Sequence, residues 1–194
     1  MDFSFPSLLG LARFTVQNPR AAARSLMAMH LPGGARWILF GFVVTASAFL
    51  THVGFNLLPP TETVFMGNAM ANPVQTALIQ GIFLLLTVAT VYGVGRWRGG
   101  TGSFSDTLLL IGWLQVVLLF LQAAQVLALI LVPPVAEILG IVGLGLSFWL
   151  LTQFIVELHG FSSAWRVFAG IIGAIFAAAF ALSIVFVTVY GAGG

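Results

Sequence analysis

The chain has no cysteine, no lysine, three histidines and five acidic residues in 194 positions. Without cysteine there is no disulfide, no thiolate nucleophile and no cysteine metal ligand, and the redox compartment stays open. Charged residues make up 6% of the chain, against about a quarter in soluble proteins. That is too little polar surface to cover a globule. There is no lysine run and no basic patch interleaved with aromatics, so the net charge of +2 does not describe a nucleic-acid footprint. Arginine without lysine, beside abundant Ala, Gly and Leu, points to a GC-rich bacterial genome.

What the chain has instead is apolar length: 60% of its residues are hydrophobic. Five long apolar stretches stand out, spanning 35–58, 74–95, 108–132, 136–158 and 165–190. The first, at 24 residues, extends about 36 Å as a helix and crosses a bilayer with some tilt. Pro59-Pro60 and Pro133-Pro134 close the first and third spans, and Asn72-Pro73 opens the second. The expected fold is therefore all-α: a polytopic membrane bundle of five transmembrane helices. A cytoplasmic or interfacial arm, 1–34, precedes the five-helix domain, 35–190, and a tail, 191–194, follows it. Loops of 3 and 6 residues make the last three spans antiparallel neighbours.

All seven basic residues, Arg13, Arg20, Arg24, Arg36, Arg96, Arg98 and Arg166, fall on one side of this pattern. The outer loop, Pro59 to Pro73, carries Glu62 and no base, and the outer turn near Glu137 has none either. This asymmetry places the N-terminus in the cytoplasm and the C-terminus outside. Trp37, Trp97 and Trp165 lie at the inner boundary, where an aromatic belt belongs. Arg13, Arg20, Arg24, Arg96, Arg98 and Arg166 read as membrane-surface residues and headgroup contacts. The expected location is a bacterial inner membrane, with the bilayer itself as one partner. The first apolar run exceeds a signal h-region of about 7–15 residues, so it stays as a helix.

In the arm, Phe5, Leu8, Leu9, Ala12 and Val16 recur at helical spacing. Asn18-Pro19 reads as an N-cap followed by proline at the first helical position. Arg20 and Arg24 then share a face. The pattern predicts two short helices lying in the headgroup region.

Ionisable residues at mid-membrane mark ion paths and proton relays. Here Asp106, Glu137 and Glu157 all lie at span ends, and only His52 enters a span. Its bland reading is one neutral helix–helix hydrogen bond. Gln115 and Gln122 stand one heptad apart on the third span, with Gln125 close by. Gln153 and Glu157 lie one above the other on the fourth, and Gln80 sits on the second. These amides either glue helices, at about 0.6–2 kcal/mol per bond, or line a narrow polar path. Glu157 and His159, with Arg96, Arg98 and Arg166, suggest an inner ion-pair cluster. No second His or carboxylate stands at ligand spacing, so neither a metal nor a cofactor is expected. Gly140, Gly143, Gly145, Gly170 and Gly173 form small-residue faces for close helix packing, within the bundle or in a homodimer. The stretch Gly93 to Gly102 lacks the Lys-Ser/Thr ending of a phosphate loop and reads as a flexible inner loop. Gly102-Ser103-Phe104-Ser105 and Gly160-Phe161-Ser162-Ser163 echo each other, with serines placed to cap the next helix.

Five spans with the N-terminus inside, Asn18-Pro19 before the first, Gly102-Ser103-Phe104 before the third and His159-Gly160-Phe161-Ser162 before the fifth together resemble bacterial Yip1-domain proteins. The resemblance runs from about Asn18 to Tyr190. Eukaryotic members sit in Golgi and endoplasmic-reticulum membranes, bind Rab-type GTPases and carry a longer cytosolic N-terminal region, which this short arm does not match, so the GTPase-binding role does not carry over by residue. The resemblance implies the fold, the topology and a non-enzymatic role. The leading expectation is a membrane-embedded scaffold or accessory subunit, joined to another membrane protein or to itself. The alternative is a small transporter or channel along the Gln-lined path.

Overall fold

The computed structural model describes residues 5–57 and 72–190, all of its regular structure helical. The outer loop carrying Glu62 and the tail 191–194 lie outside the described residues. Two short helices come first, α1 (Phe5–Gln17) and α2 (Pro19–Ala28). Five long ones follow: α3 (Gly33–Leu57), α4 (Pro73–Trp97), α5 (Phe104–Leu131), α6 (Pro133–His159) and α7 (Ala164–Tyr190). All five are long and apolar enough to cross a membrane, so the chain is a multi-pass membrane protein.

Local chemistry sets the ends. The Asn72 side chain accepts from the Val74 and Gln75 amides at 2.9 and 3.4 Å, with Pro73 at the first helical position. The Ser103 hydroxyl accepts from the Asp106 amide at 3.0 Å, so α5 starts four residues before its apolar run. At the opposite end Val132 is extended (φ −148°, ψ 80°), as a residue before proline prefers. That one residue turns α5 into α6. Asn18 caps α2 by position alone, since its side chain makes no cap bond.

α5 is the central helix. It packs most extensively against α6 and α3, while α4 lies against α3 and α5, and α7 leans on α6. The core is uneven along the membrane normal. On α5 the buried residues all fall between Thr107 and Val117. On α6 they fall between Leu150 and His159, apart from Ala136. These are the halves next to the arginine-bearing end, and the arm is what covers them. Ala12, Ala23 and Leu26 belong to the same core cluster as Leu110, Leu114 and Phe154.

The arm packs against the long helices along this face. Four of its contacts form a rising ladder. Arg24 meets Glu157 and Arg20 meets Gln153, about 3 and 9 Å from the end of α6 at a rise of roughly 1.5 Å per residue. Thr15 meets Trp113 and Phe5 meets Phe120, about 14 and 24 Å along α5. Since α5 is about 42 Å long, α1 runs to a little past the midpoint of that helix. The physical reason is the small, apolar inner face of the arm. Ala22 and Ala23 are fully buried, which allows α2 to approach α6 closely.

Candidate functional site

α4 and α6 both end at the arginine-bearing side, and both end the same way. Gly99 (φ 85°) and Gly160 (φ 69°) adopt left-handed backbone. The following amides reach back into the helix, Gly100 N–H to the Gly95 carbonyl at 2.8 Å and Phe161 N–H to the Val156 carbonyl at 3.0 Å. These are six-to-one C-terminal turns, which need glycine at the left-handed position. The two loops share this plan, although it is out of register with their sequence echo, since Gly99 and not Gly102 is the turn glycine of the first loop. Each runs from a glycine turn to a serine that caps the next helix, Ser103 for α5 and Ser163 for α7.

The turn at Gly160 sets His159 against the other loop. His159 is 2% exposed. Its Nδ1 accepts from the Gly102 amide at 3.3 Å, and its Nε2 lies 3.2 Å from the Val91 carbonyl. One nitrogen accepts and the other donates, which is the neutral ring with its proton on Nε2. Phe161 stacks on the imidazole with centroids 5.5 Å apart. A methyl group on Gly95 or Gly100 would overlap the ring, and one on Gly102 would overlap Leu158 and the ring edge. The glycine-rich stretch, expected as a flexible loop, is the wall of this cradle.

The expected ion-pair cluster around His159 is divided instead among separate partners. Glu157 pairs with Arg24 of the arm at 3.3 Å. Arg20 Nε donates to Gln153 Oε1 at 2.6 Å. Arg96 reaches the Gly100 carbonyl at 3.5 Å, and Arg98 lies over the Trp97 ring at 5.2 Å. Arg13, Arg96, Arg98 and Arg166 are exposed. Arg36 is buried and pairs with Asp106 at 3.3 Å, joining α3 to the first turn of α5.

A second polar group lies within the bundle. Thr51 Oγ1 on α3 accepts from Gln122 Nε2 on α5 and from Gln80 Nε2 on α4, both at 3.0 Å. Gln122 Oε1 in turn accepts from the Ser47 hydroxyl at 3.3 Å. One threonine therefore joins three helices. His52 bonds with Asn56 one turn along its own helix, at 3.2 Å. Gln115 and Gln125 are half-buried on α5, and a Cβ at Gly140 would sit 3.1 Å from Gln125 Nε2. Gly143 faces Leu121 at the same distance. These two glycines let α6 approach α5. Gly145, Gly170 and Gly173 face open space.

Reading the sequence missed Ser47, Thr51, Thr15 and Trp113. Hydroxyls in apolar helices look like weak signals because each can bond its own preceding turn. The Trp113 indole N–H donates to Thr15 Oγ1 at 2.9 Å, and the Thr15 hydroxyl donates to the Leu11 carbonyl at 2.8 Å. Among the described residues, no three His, Asp or Glu side chains gather at metal-binding distance.

The family model for the Yip1 domain matches residues 14–186, and the chain belongs to that family. No curated protein and no solved structure matches the chain.

Proposed function

We propose that this Yip1-domain protein is a non-enzymatic scaffold or accessory subunit of a bacterial inner membrane. The arm end, with its arginines, faces the cytoplasm, as the positive-inside rule requires, and the Tyr190 end faces out. The arm (1–34) and the five-helix region (35–190) act together, and the partner is another membrane protein or a second copy of this chain. One observation carries the reading. The membrane-embedded amides close on neighbouring protein atoms: Gln122 and Gln80 on Thr51, Gln153 on Arg20. Polar groups used this way hold helices in register. Gly145, Gly170 and Gly173, open on the outside of α6 and α7, offer a close-approach surface for the partner.

One observation favours the second reading, a small transporter or channel for a solute or lipid. Gln80 Oε1 is buried without a hydrogen-bond partner, in the polar group that a path would use. Extraction in mild detergent followed by mass spectrometry separates the two. A protein recovered at fixed stoichiometry is the expected result. Recovery of a solute or lipid alone, with downhill flux of that solute into reconstituted vesicles, would replace the scaffold by the transporter.

A further inference from the structure

We infer that the arm makes this protein a one-leaflet wedge, broader at its arginine-bearing end, whose distribution follows membrane curvature. The ladder of arm contacts carries the inference. Arg24–Glu157, Arg20–Gln153, Thr15–Trp113 and Phe5–Phe120 place α2 at headgroup level and α1 in the adjoining half of the hydrocarbon layer. The five long helices cross both halves. In the arm half α1 adds a sixth helix, and among the described residues nothing matches it in the other half. A helix is about 10 Å across with its side chains, so the added area is about 80 Å², roughly a fifth of the area of five such helices.

The burial pattern agrees with this geometry. The buried residues of α5 stop at Val117, just short of Phe120, where α1 begins. Beyond that level Leu127, Ile130 and Leu131 are exposed. The outer face of α1 also suits its depth. Phe5 and Leu9, at its deep end, are 66% and 49% exposed and present apolar surface to acyl chains. Arg13, one turn after Leu9 toward the shallow end, is exposed as well and can extend its guanidinium to the headgroups. Packing holds the wedge in place. The Thr15 side chain is fully buried beneath Trp113.

A body broader in one leaflet fits best where that leaflet is the convex one and its headgroups are spread. The sign of the effect must therefore reverse with the protein's orientation. The absence of cysteine makes this measurable on the full chain. Arg98→Cys marks the arm end, and Glu137→Cys marks the opposite end. Both positions are exposed. Each variant is reconstituted into giant vesicles of phosphatidylcholine and phosphatidylglycerol and labelled with a membrane-impermeant dye. Only molecules whose marked end faces outward fluoresce. Narrow tethers are then pulled, and dye intensity is compared with that of a lipid tracer on tether and vesicle.

The expected result is enrichment on tethers for the dye at position 98 and depletion for the dye at position 137. Equal sorting of both, or no departure of either from the lipid tracer, would overturn the wedge. Leu9→Glu in the Arg98→Cys background draws α1 toward water. It should bring the tether ratio back to that of the lipid tracer while the bundle keeps its helix content. Unchanged enrichment in that variant would assign the sorting to the five-helix bundle and not to the arm.

Discussion

Replacing Gly95 by alanine tests the His159 cradle most sharply. A Cβ at Gly95 overlaps the His159 imidazole, whereas one at Gly93, two residues earlier on α4, meets nothing within 4 Å. Gly93→Ala should therefore be neutral or stabilise by up to about 1 kcal/mol, because alanine favours the helix. Gly95→Ala has the same propensity gain and a larger loss. Overpacking costs about 1–3 kcal/mol. A displaced ring also gives up its bonds to Gly102 and Val91, worth about 0.5–1.5 kcal/mol each. The net expectation is a destabilisation of about 1–5 kcal/mol. Unfolding in mixed micelles, followed by tryptophan fluorescence, reads the difference. His159→Ala alone should also destabilise, since it strands the buried Gly102 amide. Adding Gly95→Ala to His159→Ala should cost little more, because the obstructing ring is gone, so the pair couples by about 1–3 kcal/mol. If Gly95→Ala tracked Gly93→Ala, or if the two changes simply added, the cradle would not exist as described.

Other contacts give sharper contrasts when one partner is kept. Thr15→Val strands the buried Trp113 indole N–H and should cost about 1–3 kcal/mol, whereas Trp113→Phe leaves Thr15 bonded to Leu11 and should cost less than Thr15→Val; the same unfolding assay compares them. Thr51→Val removes the shared acceptor of Gln80 and Gln122 and should destabilise by about 1–2 kcal/mol. Thr45→Val removes a bond made only to its own helix, at the Gly41 carbonyl, and should change stability by less than about 0.5 kcal/mol. Gly170→Leu meets open space, so unfolding should be unaffected, while size-exclusion chromatography with light scattering should show any assembly through that face weakened.

Much of the fold was legible because membrane spans are long, uninterrupted and punctuated by proline. Asn72-Pro73 opens α4 where the sequence puts it, while Pro133-Pro134, expected in a three-residue loop, form the first turn of α6. The start of α5 was harder. Ser103 and Asp106 extend the helix below its apolar run through a cap that hydropathy does not register. The arm helices followed from the spacing of Phe5, Leu8, Leu9, Ala12 and Val16, but the surface they pack on did not. Periodicity gives a face and not the surface it meets, and a small-residue face suits either lipid headgroups or another helix. The same ambiguity hid the polar contacts. Gln122 and Gln80 are conspicuous in an apolar helix, yet their shared acceptor is a threonine, which sequence alone cannot distinguish from Thr45. Glu157 and Arg24 lie 133 positions apart, so only the packed arm joins them. The glycines near residue 100 looked like flexibility because their shared requirement, room for the His159 ring, comes from another loop.

The most direct measurement asks whether water reaches the polar group around Thr51. Ser47→Cys, in a chain that has no other cysteine, places a near-isosteric thiol beside Gln122. Reconstituted protein is treated from each side with a membrane-impermeant thiol reagent, with Arg98→Cys as the exposed reference. The scaffold account predicts no labelling at position 47 from either side while position 98 reacts fully. Labelling at position 47 from one side or both would mean a wet path through the bundle, and the transporter reading would take the scaffold's place.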